Sequence, residues 1–199
     1  MRKRRRRIVC TVVSVAAATL AAAAATAGDG GWAALHRPLH LPRLKPGGAC
    51  PVSRVDRRVH WARINIFGGS GIGPGPVYPG LGSSGARLDA PRDQQYGGPW
   101  FGQKVFWYVA PSYRGRVLLR GRRLDGPEWL GFNGRKQPQK ELRIEPYDTV
   151  AWSGQPTGSR GIASGVRALA SGCYGVQLDG TTFSRVVFLP RRDRAVDAL

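Results

Sequence analysis

Cys173 is the most nucleophilic kind of side chain in this sequence, in the stretch Ser171-Gly172-Cys173-Tyr174. A thiol attacks efficiently only once a neighbouring base or cation has lowered its pKa from about 8.5. The histidines are His36, His40 and His60, all far upstream, so the local sequence supplies no base. His36 and His40 are spaced like two ligands on one helical face, but Pro38 between them forbids the helix. No HExxH run and no acidic residue at a zinc-like spacing accompanies them, so no metal and no cofactor is expected. The stretch Gly68-Gly69-Ser70-Gly71-Ile72-Gly73 is glycine-rich, but no register gives G-x-G-x-x-G opening a helix, and Pro74, Pro76 and Pro79 bar one. Gly82-Ser83-Ser84-Gly85-Ala86 approximates a nucleophile elbow without the strand and helix that an elbow needs on its flanks. Glu128, Glu141, Glu145 and Asp148 fall in the second half at spacings that fix no acid–base pair. The chemistry-bearing residues thus point away from catalysis.

Binding has better candidates. Tyr78, Tyr96, Trp129, Phe132 and Trp152 lie in or beside loop-like sequence, and Arg135 and Lys136 follow Phe132 after Asn133 and Gly134. Aromatic faces stack on sugar rings, and adjacent cations hold phosphates or carboxylates. These seven residues are the expected ligand-binding set. The competing use of the aromatics is to cover the ends of a small β core.

Charge indicates the kind of partner. The chain of 199 residues carries a net charge of +19. Arg2 to Arg7 form a basic block, Ile8 to Ala27 carry no charge, and Ala25-Thr26-Ala27 ends the run. A basic head, an apolar stretch and small residues at its end describe an export signal, residues 1–27, with cleavage expected before Gly28. If uncleaved, residues 8–27 would serve as a membrane anchor. Arg5-Arg6-Arg7-Ile8-Val9 fits a relaxed twin-arginine pattern, so the export route stays open. Removing the six basic residues of this leader from the total of +19 leaves +13. Outside the cell such a surface meets anionic cell-wall polymers, acidic glycans or membrane headgroups, and no nucleic acid is expected. An intracellular nucleic-acid binder becomes the alternative only if the N-terminus is not an export signal. Cys10 leaves with the leader. Cys50 and Cys173 remain, and two cysteines in an exported domain are expected to pair. The loop they close is long, so chain entropy alone gives on the order of 4–5 kcal/mol.

The elements that must position these residues read as strands. Residues 28–49 contain Pro38, Pro42 and Pro46 and are expected to form an extended linker spacing the domain from wall or membrane. The domain is expected over residues 50–190, with a charged tail at 191–199. Val59 to Phe67 reads as a strand with a bulge between Trp61 and Ile64. Residues 68–99 are dense in glycine and proline without periodicity and read as a long surface loop or insertion. Trp100 to Ala110 is apolar on both faces, as a central strand would be. Arg116 to Leu124 places Val117 and Leu119 on one face and Arg120 and Arg122 on the other. Glu141 to Glu145 puts Leu142 and Ile144 inward, and Gly165 to Leu169 reads as a short strand. Asp179-Gly180 suits a two-residue type I′ turn between Tyr174–Leu178 and Thr181–Leu189. No segment keeps a helical apolar period, so the expected class is a single antiparallel β-sandwich with long Gly/Pro-rich loops.

The stretches Gly172-Cys173-Tyr174 to Leu189 and Val117 to Pro127 resemble the ending of uncharacterised exported proteins of high-GC Gram-positive bacteria. In those proteins a Gly-Cys-aromatic triplet opens a terminal strand pair. The resemblance spans about thirty residues and implies an immunoglobulin-like domain and an exported location, with no activity attached. Ala170-Ser171-Gly172-Cys173 is also similar to the nucleophile signature of wall-crosslinking L,D-transpeptidases, but lacks its histidine. The sequence thus predicts a secreted or envelope-associated, non-catalytic binding or structural module with a basic surface. A cell-wall or glycan-acting enzyme is the alternative.

Overall fold

A computed structural model describes residues 30–60, 70–81, 87–88, 98–134, 136–148 and 154–191. The chain divides into two units, Met1–Ala34 and Leu35–Leu199. Of the first, the described part is residues 30–34, with one helical turn at 30–33. The second is all-β. It contains β1 (Val55–His60), β2 (Ser70–Ile72), β3 (Val77–Gly80), β4 (Phe101–Val109), β5 (Val117–Arg123), β6 (Trp129–Phe132), β7 (Glu141–Ile144), β8 (Arg160–Ala168), β9 (Gly172–Gly180) and β10 (Ser184–Arg191).

Strands β3 to β10 form one antiparallel sheet in the order β10-β9-β5-β6-β8-β4-β3, with β7 also paired to β5; β1 and β2 pair separately. The sheet folds over at β6. Leu130 pairs with Gly121 of β5, whereas Phe132 pairs with Val166 of β8. One short strand thereby joins the two layers of a sandwich. Alternation then dictates the core. Val105, Trp107 and Val109 of β4 face Val117 and Leu119 of β5, Leu142 and Ile144 of β7, Val176 and Leu178 of β9, and Val187 and Leu189 of β10 in a single apolar cluster. The indole of Trp107 is fully buried and donates from Nε1 to Ser164 Oγ at 2.9 Å, so its one polar atom is satisfied. The free edge of β10 is covered. Its Phe188 N–H donates to Ser53 Oγ (2.7 Å) and its Pro190 carbonyl accepts from Leu88 N–H (3.0 Å).

The expected all-β antiparallel sandwich is thus the observed class, and Trp100–Ala110 does supply a central strand, between β3 and β8. Five local expectations change. Residues 70–72 and 77–80, read as structureless, are the strands β2 and β3; Pro79 is tolerated because β3 is an edge strand. The strand expected at 165–169 begins five residues earlier, at Arg160. The closing hairpin exists, but its turn is not Asp179-Gly180. Asp179 pairs with Ser184, and Gly180 N–H donates to Phe183 C=O at 2.9 Å, so Thr181 and Thr182 make the turn. Gly180 serves packing instead, since a Cβ there would meet the Phe183 ring at 2.3 Å. Fourth, residues 35–44 of the expected linker are extended but do not stand off the domain. Leu35 and Leu41 are buried, Leu41 in one cluster with Leu124 and Cys173, which Leu44 and Cys50 pack against. Fifth, the expected tail at 191–199 loses its first residue to β10, which ends at the buried Arg191; residues 192–199, the expected bulge between Trp61 and Ile64 and the leader lie outside the described residues.

Candidate functional site

The outward face of the β5–β9–β10 layer is where chemistry-bearing residues converge. Strand alternation puts Arg120 and Arg122 of β5 there, as the sequence pattern predicts, with Gln177 and Asp179 of β9 beside them. Residues 35–44 lie across this face as a strap. Pro38 and Pro42 remove donors from the strap, so much of its attachment comes from donors on the sheet reaching strap carbonyls. Arg120 Nη2 donates to Arg37 C=O at 2.5 Å, Gln177 Nε2 to Pro38 C=O at 3.0 Å, and Arg122 Nη2 to Leu41 C=O at 2.7 Å. In return His40 N–H donates to Gln177 Oε1 at 2.7 Å and Leu44 N–H to Leu124 C=O at 2.8 Å. At the far end of the strap segment Cys50 is disulfide-bonded to Cys173, with Cα atoms 5.4 Å apart. The sulfur of Cys173 is therefore committed to a structural bond, as the pairing of the two cysteines predicts, and does not act as a thiolate nucleophile in this state.

Asp179 is the hub beneath the strap. It is fully buried and accepts from Arg120 Nη2 (2.9 Å), Gln177 Nε2 (2.9 Å) and Ser184 Oγ (2.7 Å), with Arg37 Nη1 at 3.7 Å. A buried carboxylate is tolerable only when charge and hydrogen bonds are both supplied, and here they are.

Where the strap leaves the sheet, next to the disulfide, a groove of about 450 Å³ opens, lined by Arg43, Leu44, Pro46, Arg122, Leu124, Asp125, Gly126 and Pro127. Asp125 is not a free acid. Its Oδ1 accepts from Arg123 Nε at 2.7 Å and from Cys173 N–H at 3.2 Å. Burial alone would raise its pKa; these bonds outweigh burial and hold the carboxyl below the usual range.

The expected aromatic set is divided by the structure. Phe132 is fully buried in the sandwich core, so it is not available to a ligand. Tyr78 is also buried. Its hydroxyl donates to Asp56 Oδ2 at 2.8 Å and its ring stacks with Tyr108 at 6.3 Å. Burial and that hydrogen bond push its phenol pKa well up, so it stays a donor. Trp129 is half-buried on the sheet face, 5.0 Å from Trp100, with Lys140 Nζ 5.7 Å from its ring centroid. Lys136 is exposed. Tyr96, Arg135 and Trp152 lie outside the described residues. Only Trp129 and Lys136 of the set are thus placed at the surface, and the structure shows no contact between them. The groove residues Arg43 and Arg122 were missed. The alternation of β5 marks Arg122 as outward, but nothing in the sequence shows that a proline-containing segment would return to meet it.

Among the described residues, acidic side chains are largely spent on internal pairs. Asp56 pairs with Arg58, Asp125 and Glu128 with Arg123, Glu141 with His36 and Arg143, Glu145 with Arg116, and Asp179 with Arg120. Asp148 caps the Glu145 N–H at 2.8 Å. Arg43, Lys45, Arg54, Arg57, Lys104 and Arg185 are exposed and form no ion pair among the described residues. Also among the described residues, no group of three or more His, Cys, Asp or Glu is placed to hold a metal ion, and no helix is long and apolar enough to cross a membrane. No family model, characterised protein or solved structure matches the chain.

Proposed function

We propose that this protein is an exported, envelope-associated binding module without catalytic activity, acting through its basic surface on anionic material. The observation that carries the reading is the spending of carboxylates on internal pairs while Arg43, Lys45, Arg54, Arg57, Lys104 and Arg185 remain exposed and unpaired among the described residues. Such a surface projects a positive field over roughly a Debye length, about 8–10 Å at ordinary ionic strength. The Cys50–Cys173 disulfide supports an oxidising compartment, where such bonds persist. The resemblance of the closing strand pair to the ending of exported proteins of high-GC Gram-positive bacteria, and the immunoglobulin-like domain it implies, belong to the same reading.

The test is cosedimentation of the purified protein with isolated Gram-positive cell envelope across a salt series. Binding is expected to weaken by about tenfold or more between 50 mM and 500 mM salt, as counterion release requires. Salt-insensitive binding, or none, would sink the electrostatic reading.

A further inference from the structure

We infer that the groove beside the disulfide is a specific oxyanion site that takes a phosphodiester unit of an extracellular polymer. This rests on the proposed function and gives it an address.

Four observations carry it. Arg43 is exposed, lines the groove and makes no hydrogen bond or ion pair among the described residues. Arg122 lines the same groove from the sheet and uses one bond, Nη2 to Leu41 C=O, to fix its guanidinium; its buried Nε has no partner. A guanidinium carries five N–H donors in a fork suited to two oxygens of one anion, so Arg122 is anchored with donors to spare and Arg43 is free to close on the same group. The one acid in the lining, Asp125, is held by Arg123 and Cys173 N–H, so its charge is already answered. Finally, Leu44, Pro46, Leu124 and Pro127 give the groove apolar walls.

Those walls select among oxyanions. An inorganic ion would gain nothing from them. A phosphodiester presents a single charge shared by two oxygens and carries organic groups on both sides, which would lie on the leucine and proline surfaces. A concave cleft also suits a chain segment entering it better than a planar bilayer.

The probe is glycerophosphoglycerol, titrated into the full protein while the side-chain Nε–H resonances of arginine are followed by NMR. Saturable shifts at Arg43 and Arg122 are expected. Arg43→Gln should weaken binding about tenfold, the size of one lost charge-assisted hydrogen bond. Arg185→Gln removes the same charge from an exposed cation of β10 outside the groove lining and should weaken diester binding far less than Arg43→Gln. Arg43 is exposed and makes no hydrogen bond or ion pair among the described residues, and a thermal melt of the variant matching that of the unmodified protein shows that the change in binding is not a loss of fold. If Arg43→Gln and Arg185→Gln weaken envelope binding equally, the groove is not the site, although the general basic-surface reading survives. If inorganic phosphate binds as tightly as the diester, the selection by apolar walls is wrong. Binding to phosphatidylglycerol vesicles with no response to the soluble diester overturns the polymer as source. No envelope binding by the unmodified protein overturns the proposed function itself.

Discussion

Asp179 shows how one residue is reassigned by its surroundings. From local sequence it belongs to a turn, because Asp-Gly is a strong hairpin signal. In the fold it is the anion on which Arg120, Gln177 and Ser184 converge. Asp179→Ala should leave the partly buried Arg120 without its counter-charge and cost about 2–4 kcal/mol, read as a lower midpoint in urea. Asp179→Asn, which keeps shape and an acceptor, should cost less. Titration gives a second residue-scale expectation. Asp125 is held below the usual carboxylate range, and so is Glu141, where the hydrogen bonds of His36 and Arg143 outweigh burial. A depressed folded pKa stabilises the fold above the unfolded value of about 4, and that contribution is lost as pH falls through the folded pKa. The melting temperature should therefore drop as the medium is acidified below about pH 4, and less steeply in Asp125→Asn than in the unmodified protein. Phe132 and Tyr78 illustrate the reverse problem. Their type says aromatic surface or aromatic core with equal force, and only the strand that carries them decides; β6 and β3 both turn them into packed interior.

At the scale of elements, strands whose alternation is clean were legible. β5 and β7 fall where Val117, Leu119, Leu142 and Ile144 say they should. The elements that escaped the pattern are those whose partners are remote. β2 and β3 hide in Gly/Pro-rich text, and residues 35–44 look like a spacer because proline-containing chain lacks donors in either setting. What turns that segment into a strap is a row of sheet donors that reading along the chain cannot pair with it. Cys50→Ser should loosen it, lowering stability by about 2–5 kcal/mol and speeding exchange of the His40 and Leu44 amide protons. Glycines on the sheet give a paired contrast. A Cβ at Gly121 would meet the Gly175 carbonyl oxygen at 2.9 Å and Leu130 Cβ at 3.0 Å, whereas one at Gly165 meets nothing within 4 Å. Gly121→Ala should cost about 1–3 kcal/mol and Gly165→Ala should be neutral or slightly stabilising, compared by thermal melting.

For the whole molecule, the class of fold and the surplus of positive charge both came from composition and periodicity, because each is a sum over many residues and tolerates local errors. The groove did not, because it is made where distant segments meet: Arg43 from the strap and Pro46 just beyond it, Arg122 from β5 and Pro127 from the loop between β5 and β6. The folded sheet, in which β6 belongs to both layers, likewise depends on long-range pairing. The Cys50–Cys173 bond spans 123 positions and so closes most of the domain into a covalent ring. A protease that cuts a surface loop inside that ring opens the circle without releasing a fragment. Nicked protein should therefore migrate as one species on a non-reducing gel and as two after reduction. A single cut of this kind would leave both arginines of the groove tethered to the same molecule.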